Sequence, residues 1–285
     1  YRNERLERIH AKRTLRKCRT LKSLIFFLLV HKNYNRKHAK FRNFLNEHMT
    51  LSSPMYSVED LVACVGDYSL FITGSDQVWN YKLNGKDPAY FLNFVKDKSK
   101  KKTYAASFGL SEIPGELKQV YRDLLSDFDS ILIRENQGSK IIRDLLSKSS
   151  SVVLDPTMLI SKEQWIKKLK LEKTTYKIKD KYILVYAFGG STNIKKLAIN
   201  ISKKTGYKIL WISTTYKQSF RIKYIREAGP KEFISLFNNA EYVITNSFHG
   251  TAFSINFNKQ FFMELLPESS GVNSRLEDIL DLFEL

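Results

Sequence analysis

Cysteine, histidine and long apolar runs are scarce in this chain, and each scarcity excludes something. Two cysteines in 285 residues, Cys18 and Cys64, cannot build a disulfide framework, so the redox setting reads as cytoplasmic. Of five histidines only His249 lies beyond residue 48. One histidine and one cysteine in that region cannot assemble a typical zinc site, and no metal centre is expected. The strongest apolar run, Leu24 to Val30, is far too short to span a bilayer. It is followed by His31, Lys32 and Asn33 rather than a small-residue cleavage site, so it is no signal peptide. Also missing are a Walker-type P-loop, a G-x-G-x-x-G fingerprint and a G-x-S-x-G nucleophile elbow. The plain expectation is a soluble, intracellular protein.

Acidic residues are in deficit, 29 against 47 Lys and Arg, for a formal charge of +18. The excess is local. Residues 1–48 carry 14 basic residues and three Glu, a formal +11, which leaves +7 for all the rest. Leu6, Ile9, Leu15, Leu21, Leu24 and Leu28 recur there at roughly helical spacing. A basic amphipathic helix can lie on an anionic membrane surface, follow a nucleic-acid backbone, or be the solvated face of a packed helix. The packed helix is the ordinary case for a charge run. No aromatic–basic signature or Cys/His finger supports a nucleic-acid partner, and none is expected. The chain opens at Tyr1, without Met, already inside this charged pattern, and is read as trimmed.

Its length suggests two domains at about 150 residues each, and a 43% apolar content supplies their cores. From residue 66 onward short apolar runs alternate with helical patterns. Ser69–Thr73, Thr103–Ser107, Ile131–Ile133 and Val152–Leu154 read as strands of a first half. Tyr182–Phe188, Tyr207–Ile212, Tyr242–Thr245 and Phe261–Met263 repeat the arrangement, with helices to Lys204, over Lys231–Asn238 and after Gly250. This alternation indicates βαβ units and parallel sheets. The expected division is 1–160 and 161–285, with the charged stretch Ser161–Lys181 as linker. The basic segment 1–48 is grouped with the first domain.

In open parallel sheets ligands bind outside the carboxyl ends of the strands, and polar residues gather there in both halves. Ser75, Asp76, Gln77, Arg134, Glu135 and Asp155 mark the first half; Gly189, Gly190, Thr214, Ser247, His249 and Thr251 mark the second. Two such mouths facing each other would form an interdomain cleft. In Thr245-Asn-Ser-Phe-His-Gly-Thr251 a strand ends and a helix opens. Ser247 can cap it, its free N–H groups suit phosphate or carboxylate, and Gly250 permits close backbone approach. His249 can donate to an anion, act as general acid or base, or simply cap and pack. Arg134 suits bidentate binding of an oxyanion, or a salt bridge with Glu135 or another acid. Asp76 and Asp155 can bind hydroxyls, act as bases or cap helices, while Trp79 and Tyr81 can stack on a sugar or fill the core. Lys259 alone is an ordinary surface lysine.

Phe71-Ile-Thr-Gly-Ser-Asp-Gln-Val-Trp79, Ile133-Arg-Glu-Asn136, Leu154-Asp-Pro-Thr157 and Thr245-Asn-Ser-Phe-His-Gly-Thr-Ala-Phe-Ser254, followed by Lys259 and by Asn273-Ser-Arg275, resemble the polysaccharide pyruvyl transferase family. The resemblance runs from about residue 60 to the end. It implies α/β architecture, with two Rossmann-like parallel-sheet domains facing a cleft in a glycosyltransferase-B-like arrangement. Family members usually begin with a strand and a Gly/Asn-containing loop that has no counterpart here, so the first domain is expected to be N-terminally truncated. The implied activity moves the enolpyruvyl unit of phosphoenolpyruvate onto a sugar of a surface or capsular polysaccharide precursor. A pyruvate ketal forms and phosphate leaves. Phosphoenolpyruvate is a donor substrate here; no cofactor is implied.

By that resemblance Arg134, His249 and Lys259 are the catalytic cations. Gly74, Ser75, Asp76, Gln77, Trp79, Asp155, Gly189, Gly190, Asn246, Ser247, Gly250, Thr251 and Arg275 line the substrates. The first domain takes the acceptor, free or lipid-linked, and the second takes phosphoenolpyruvate. Asp76 is a candidate for orienting or deprotonating the acceptor hydroxyl. Residues 1–48 would then hold a cytoplasmic enzyme at the inner face of the membrane. Two alternatives stand beside this reading. One is a sugar-nucleotide glycosyltransferase in which Gly189 and Gly190 face a diphosphate, and the other is a basic nucleic-acid-binding protein.

Overall fold

The computed structural model describes residues 21–171, 178–189, 191–213, 219–267 and 273–285, with side chains from residue 31 onward. Gly190 and Thr214, both expected at strand ends, lie outside the described residues, as does the start of the basic segment. The first described element is a helix, α1, Leu21–His48. Two compact units follow: Ser53–Leu159 with Leu266–Leu285, and Ile160–Leu265 with α1. The expected division grouped the basic segment with the first half and the last twenty residues with the second. The structure places α1 with the second unit and the last twenty residues with the first.

In the first unit α2, Val58–Ala63, starts with a Ser57/Asp60 capping box. The strand β1, Phe71–Thr73, leads through the short helix α3, Tyr81–Asn84, to β2, Lys101–Thr103. Helix α4, Gly115–Ser126, buries Leu117, Tyr121 and Leu125 at i, i+4 and i+8, the spacing of one helix face. Then come β3, Leu132–Ile133, helix α5, Asn136–Leu146, and β4, Ser151–Val152. All four strands are parallel, β1 with β2 and β3 with β4. Ala106 bridges to both Asp76 and Ile133 and joins the two pairs edge to edge. The core is aromatic: Trp79 stacks on Phe91 at 5.6 Å, with Phe108 and Phe128 around it.

The second unit begins with α6, Lys162–Leu169, closed by a Ser161/Gln164 capping box. Trp165, Ile166 and Leu169 pack into the core, so part of the stretch expected as linker is a structural helix. There follow β5, Tyr182–Tyr186; α7, Thr192–Thr205; β6, Lys208–Ile212; β7, Ile222–Ile225; α8, Pro230–Asn239; β8, Tyr242–Thr245; α9, Phe248–Asn256; and β9, Gln260–Met263. The strands form one parallel sheet in the order β7-β6-β5-β8-β9. Alternate residues serve its two faces: Leu184, Leu210 and Val243 meet Phe237 and Phe253, while Ile183, Val185 and Ile244 meet Ile194 and Ala198. Strand β7 is not announced by the sequence, because it is a four-residue edge strand with Lys223 exposed at its centre.

Helix α1 belongs to this unit through ion pairs. Arg36 meets Glu227 at 3.2 Å, Lys40 meets Glu232 at 2.8 Å and Glu47 meets Lys231 at 2.7 Å. Phe44 packs against the core beneath. Over residues 31–48 the basic stretch is thus a packed helix, with Phe41 and Leu45 on exposed positions. A final helix, α10, Ser274–Leu282, returns to the first unit. Among the described residues no helix is long and apolar enough to cross a membrane.

Candidate functional site

In the second sheet the chain leaves β5 toward β6 on one side and reaches β8 on the other. The strand order therefore reverses between β5 and β8, and ligands of open parallel sheets bind outside the carboxyl ends at such a reversal. Two helix starts converge there. Ser191 caps α7 by accepting from the Ile194 N–H at 3.3 Å, and Ser247 caps α9 by accepting from the Gly250 N–H at 3.5 Å. Both helix starts carry partial positive charge. Asn246 clamps the backbone between them: its Oδ1 accepts from the Phe188 N–H at 2.8 Å, and its Nδ2 donates to the Phe188 carbonyl at 3.0 Å. Gly189, next in the chain, has φ +77°, with open space where a side chain would begin. The left-handed region favours glycine here.

Helix α9 sits tightly on β8. Thr245 Oγ1 donates to the Tyr186 carbonyl at 2.6 Å and accepts from the Ser247 N–H at 3.0 Å. A methyl group on Gly250 would overlap that same oxygen, so the glycine permits helix–strand packing rather than ligand approach. Thr251 is fully buried and donates to the Ser247 carbonyl at 3.2 Å. His249, half-buried in the first turn of α9, stands edge-on to the Phe248 ring at 5.4 Å.

The first sheet gathers charge at its carboxyl edge. Arg134, at the end of β3, has a side chain only 1% exposed. Its Nη1 donates to Asp155 Oδ2 at 2.8 Å and Ser75 Oγ at 3.4 Å, and its Nη2 donates to Asp76 Oδ1 at 3.2 Å. Asp155 is also saturated from the other side, by the Thr157 N–H and hydroxyl on Oδ1 at 3.0 and 2.7 Å. Burial works against its ionisation, but the Ser75 hydroxyl and the Arg134 guanidinium together hold its carboxyl down at about 2. Asp76 is different: it is exposed, with φ +75°. An aspartate tolerates that left-handed turn better than most residues.

Glu135 does not pair with Arg134. Its Oε1 accepts from the Ser107 hydroxyl at 2.9 Å and from the Phe108 and Gly109 N–H groups at 3.0 and 3.3 Å. Burial pushes its carboxyl up, against the opposing pull of Arg134, Ser107 and Arg275.

A family model for polysaccharide pyruvyl transferases matches residues 6–263. The chain belongs to the polysaccharide pyruvyl transferase family. No curated protein matches it by sequence. Among solved structures, UDP-GlcNAc 2-epimerase from Methanocaldococcus jannaschii is similar with a TM-score of 0.52 at 13% identity, over 85% of this chain and 81% of that one. The UDP-GlcNAc 2-epimerase of Neisseria meningitidis, bound to UDP-GlcNAc, reaches 0.46 at 13% identity, over 82% and 76%. At such identity the first likeness is one of fold alone. It accords with the expected glycosyltransferase-B-like class of parallel α/β sheets.

For this pyruvyl transferase family member the geometry redistributes several expected roles. Trp79 is 1% exposed, donates to the Tyr90 carbonyl at 3.2 Å and is ringed by aromatics, so it is core and presents no face to a sugar. Gln77 receives the Asn80 amide at 2.8 Å and packs under Gly109. Lys259 lies at the amino edge of the second sheet, before Gln260, which pairs with Tyr242. Its ammonium donates to the Asn238 and Ala240 carbonyls at 2.6 and 3.0 Å. The nine residues of α9 separate it from the start where His249 stands, roughly 13 Å of helix. Within the second unit, then, His249 and Lys259 do not meet.

Within the first unit Ser75, Asp76, Arg134 and Asp155 do meet, and Gly74 provides the exposed turn before them. Arg275 joins them from α10 and shares electrostatic interaction with Arg134, Glu135 and Asp76. In the sequence Glu135 is one of the polar residues at the first half's strand ends and a pairing option for Arg134. Its burial and the Ser107–Gly109 cradle around it had no local signal.

Proposed function

We propose that this chain transfers the enolpyruvyl unit of phosphoenolpyruvate to a sugar of a surface polysaccharide precursor, forming a pyruvate ketal and releasing phosphate. Family membership carries the reaction class, and the helix start at Asn246–Thr251 carries the donor site. Phosphoenolpyruvate bears a phosphate and a carboxylate, and the two helix starts at the β5–β8 reversal supply the backbone donors and partial charge that such a ligand needs. His249, in the first turn of α9, is the proposed proton donor to the enol carbon or clamp on the phosphate. Protonation of that carbon develops a cationic centre, to which the sugar hydroxyls add as phosphate departs. Arg134 acts through Asp76, which it fixes on its exposed turn to orient the acceptor hydroxyl.

Phosphoenolpyruvate is a substrate in this scheme, and no cofactor is invoked. The acceptor is free or lipid-linked. The exposed face of α1, with Phe41 and Leu45 among basic neighbours, is the proposed contact with the cytoplasmic face of the membrane.

The test is phosphate release from phosphoenolpyruvate in the presence of a glycan acceptor, with the ketal identified by mass spectrometry. His249→Ala should lower turnover at least about 100-fold, as expected for a lost general acid. Unchanged turnover would sink the assigned site. Thermal stabilisation by a nucleotide sugar but not by phosphoenolpyruvate would favour a glycosyltransferase in its place.

A further inference from the structure

Two ionisable side chains at the carboxyl edge of the first sheet lie close to Arg134 but outside its hydrogen-bond network. Glu135 is 1% exposed, and while its Oε1 is saturated by Ser107, Phe108 and Gly109, its buried Oε2 has no hydrogen-bond partner. Arg275 is 9% exposed, with a buried Nε that is likewise unpartnered. Among the described residues it makes no hydrogen bond and no ion pair. Native proteins rarely leave such groups unmet, because each forfeits its hydration without replacement.

Their juxtaposition is built rather than incidental. Asp278 accepts from the Asn136 N–H at 2.7 Å and from Asn136 Nδ2 at 2.8 Å, so α10 caps the start of α5. Arg275 lies three residues before Asp278, on the same face of α10, and is thereby brought to the β3–α5 junction where Glu135 sits. Asn273 pairs both its amide groups with the Leu266 backbone, at 3.0 and 2.7 Å. Arg134 has Asp155 at 2.8 Å to balance its charge, whereas Glu135 and Asp76 act on Arg275 only through longer-range attraction.

We propose that Glu135 and Arg275 form an anion pocket at the carboxyl edge of the first sheet, in which a carboxylate or phosphate oxygen of a substrate accepts from both Arg275 and Glu135 Oε2. An oxyanion accepts from both and answers the Arg275 charge with its own, which favours it over a neutral hydroxyl. Burial pushes the Glu135 carboxyl up, the direction that favours a proton on Oε2, against the pull of Arg134, Ser107 and Arg275. The charged groups facing Glu135 are Arg134 from its own strand end and Arg275 from α10, with Asp76 beyond them. The pocket rests on the transferase reading for its substrate: phosphoenolpyruvate and a phosphorylated sugar acceptor both carry the required group.

Calorimetric titration of the full chain with phosphoenolpyruvate, with a hexose 1-phosphate and with the unphosphorylated hexose separates the sources. Arg275→Met should weaken binding of the recognised anion about 30-fold, the scale of a lost charged hydrogen bond, and Arg275→Lys should restore part of it. In the parent, affinity should fall as pH rises through the Glu135 titration, because an ionised Oε2 repels the ligand. Glu135→Gln should keep the affinity and flatten that fall, since its amide still donates.

Thermal unfolding of each variant separates loss of binding from loss of fold. Ketal formation and both anion titrations untouched by Arg275→Met would overturn the pocket and leave the transferase reading standing. Binding of the sugar phosphate through Arg275, with no consumption of phosphoenolpyruvate, would uphold the pocket and sink that reading. A parent chain that binds neither anion, or one in which Glu135→Gln abolishes binding of the plain hexose, overturns the pocket.

Discussion

The two sheet edges use their polar residues in opposite ways. At the second, Thr245, Asn246, Thr251 and Ser254 all turn their side chains onto backbone groups of the protein itself. What the edge offers a ligand is mainly backbone, two helix starts and an open glycine, with half-buried His249 in the first turn of α9. At the first edge the groups are charged and answer one another, Arg134 with Asp155 and Asp76, Glu135 with Ser107. A backbone-built site is fixed by shape, whereas a charge-built site depends on which partners are present and protonated. Damage to the first should therefore act through electrostatics, and damage to the second through sterics.

Removing Arg134 should show the electrostatic mode at its largest. Asp155 is buried and stays ionised because of its partners, so Arg134→Ala leaves an uncompensated carboxylate, with an expected cost of about 3–5 kcal/mol in denaturant unfolding. The double variant Arg134→Ala with Asp155→Asn should recover part of that loss, because no stranded charge remains. A cost under about 1 kcal/mol, the range of an exposed ion pair, would break the contrast by showing that water reaches the cluster.

Gly250→Ala probes the steric mode. The added methyl overlaps Thr245 Oγ1, and neither the strand nor the helix can give freely, so overpacking should cost about 1–3 kcal/mol. Thr245→Ala in the same chain removes the obstructing oxygen. The two changes should then cost less together than their sum, a coupling that only contacting residues show. Strict additivity would mean that α9 does not press on β8.

Much of this contrast could be read from residue order. Polar clusters after apolar runs marked both edges, because in a parallel sheet the strand ends carry the loops that are free to vary. The strands β5, β6 and β8 were legible because central strands buried on both faces are nearly all apolar, and β9, an edge strand, from its short run Phe261–Met263. Side-chain direction was not legible. Trp79 follows Asp76 and Gln77 in a loop, and only the Phe91, Phe108 and Phe128 rings drawn from distant segments make it core. Arg275 and Glu135 are 140 positions apart, and their meeting depends on Asp278 capping α5, a tertiary contact with no sequence period. The grouping of α1 with the second unit and of α10 with the first is likewise a docking event. Ion pairs on α8 decide it for α1.

Lys259 gives the smallest effect and the sharpest disagreement between likeness and geometry. The family resemblance makes it a catalytic cation, while the structure ties its ammonium to carbonyls at the end of α8, where a positive charge steadies the helix dipole. Burial pushes its amine down, and Lys162 adds to that push, so the two carbonyls rather than solvent hold its charge. Lys259→Met should therefore lower stability by about 1 kcal/mol and leave ketal formation per folded molecule unchanged. A large loss of turnover with unaltered stability would mean that the ammonium leaves the end of α8 to reach a substrate. The second sheet would then deploy a lysine charge besides His249, and the division between a mainly backbone-built and a charge-built edge would fail at that residue.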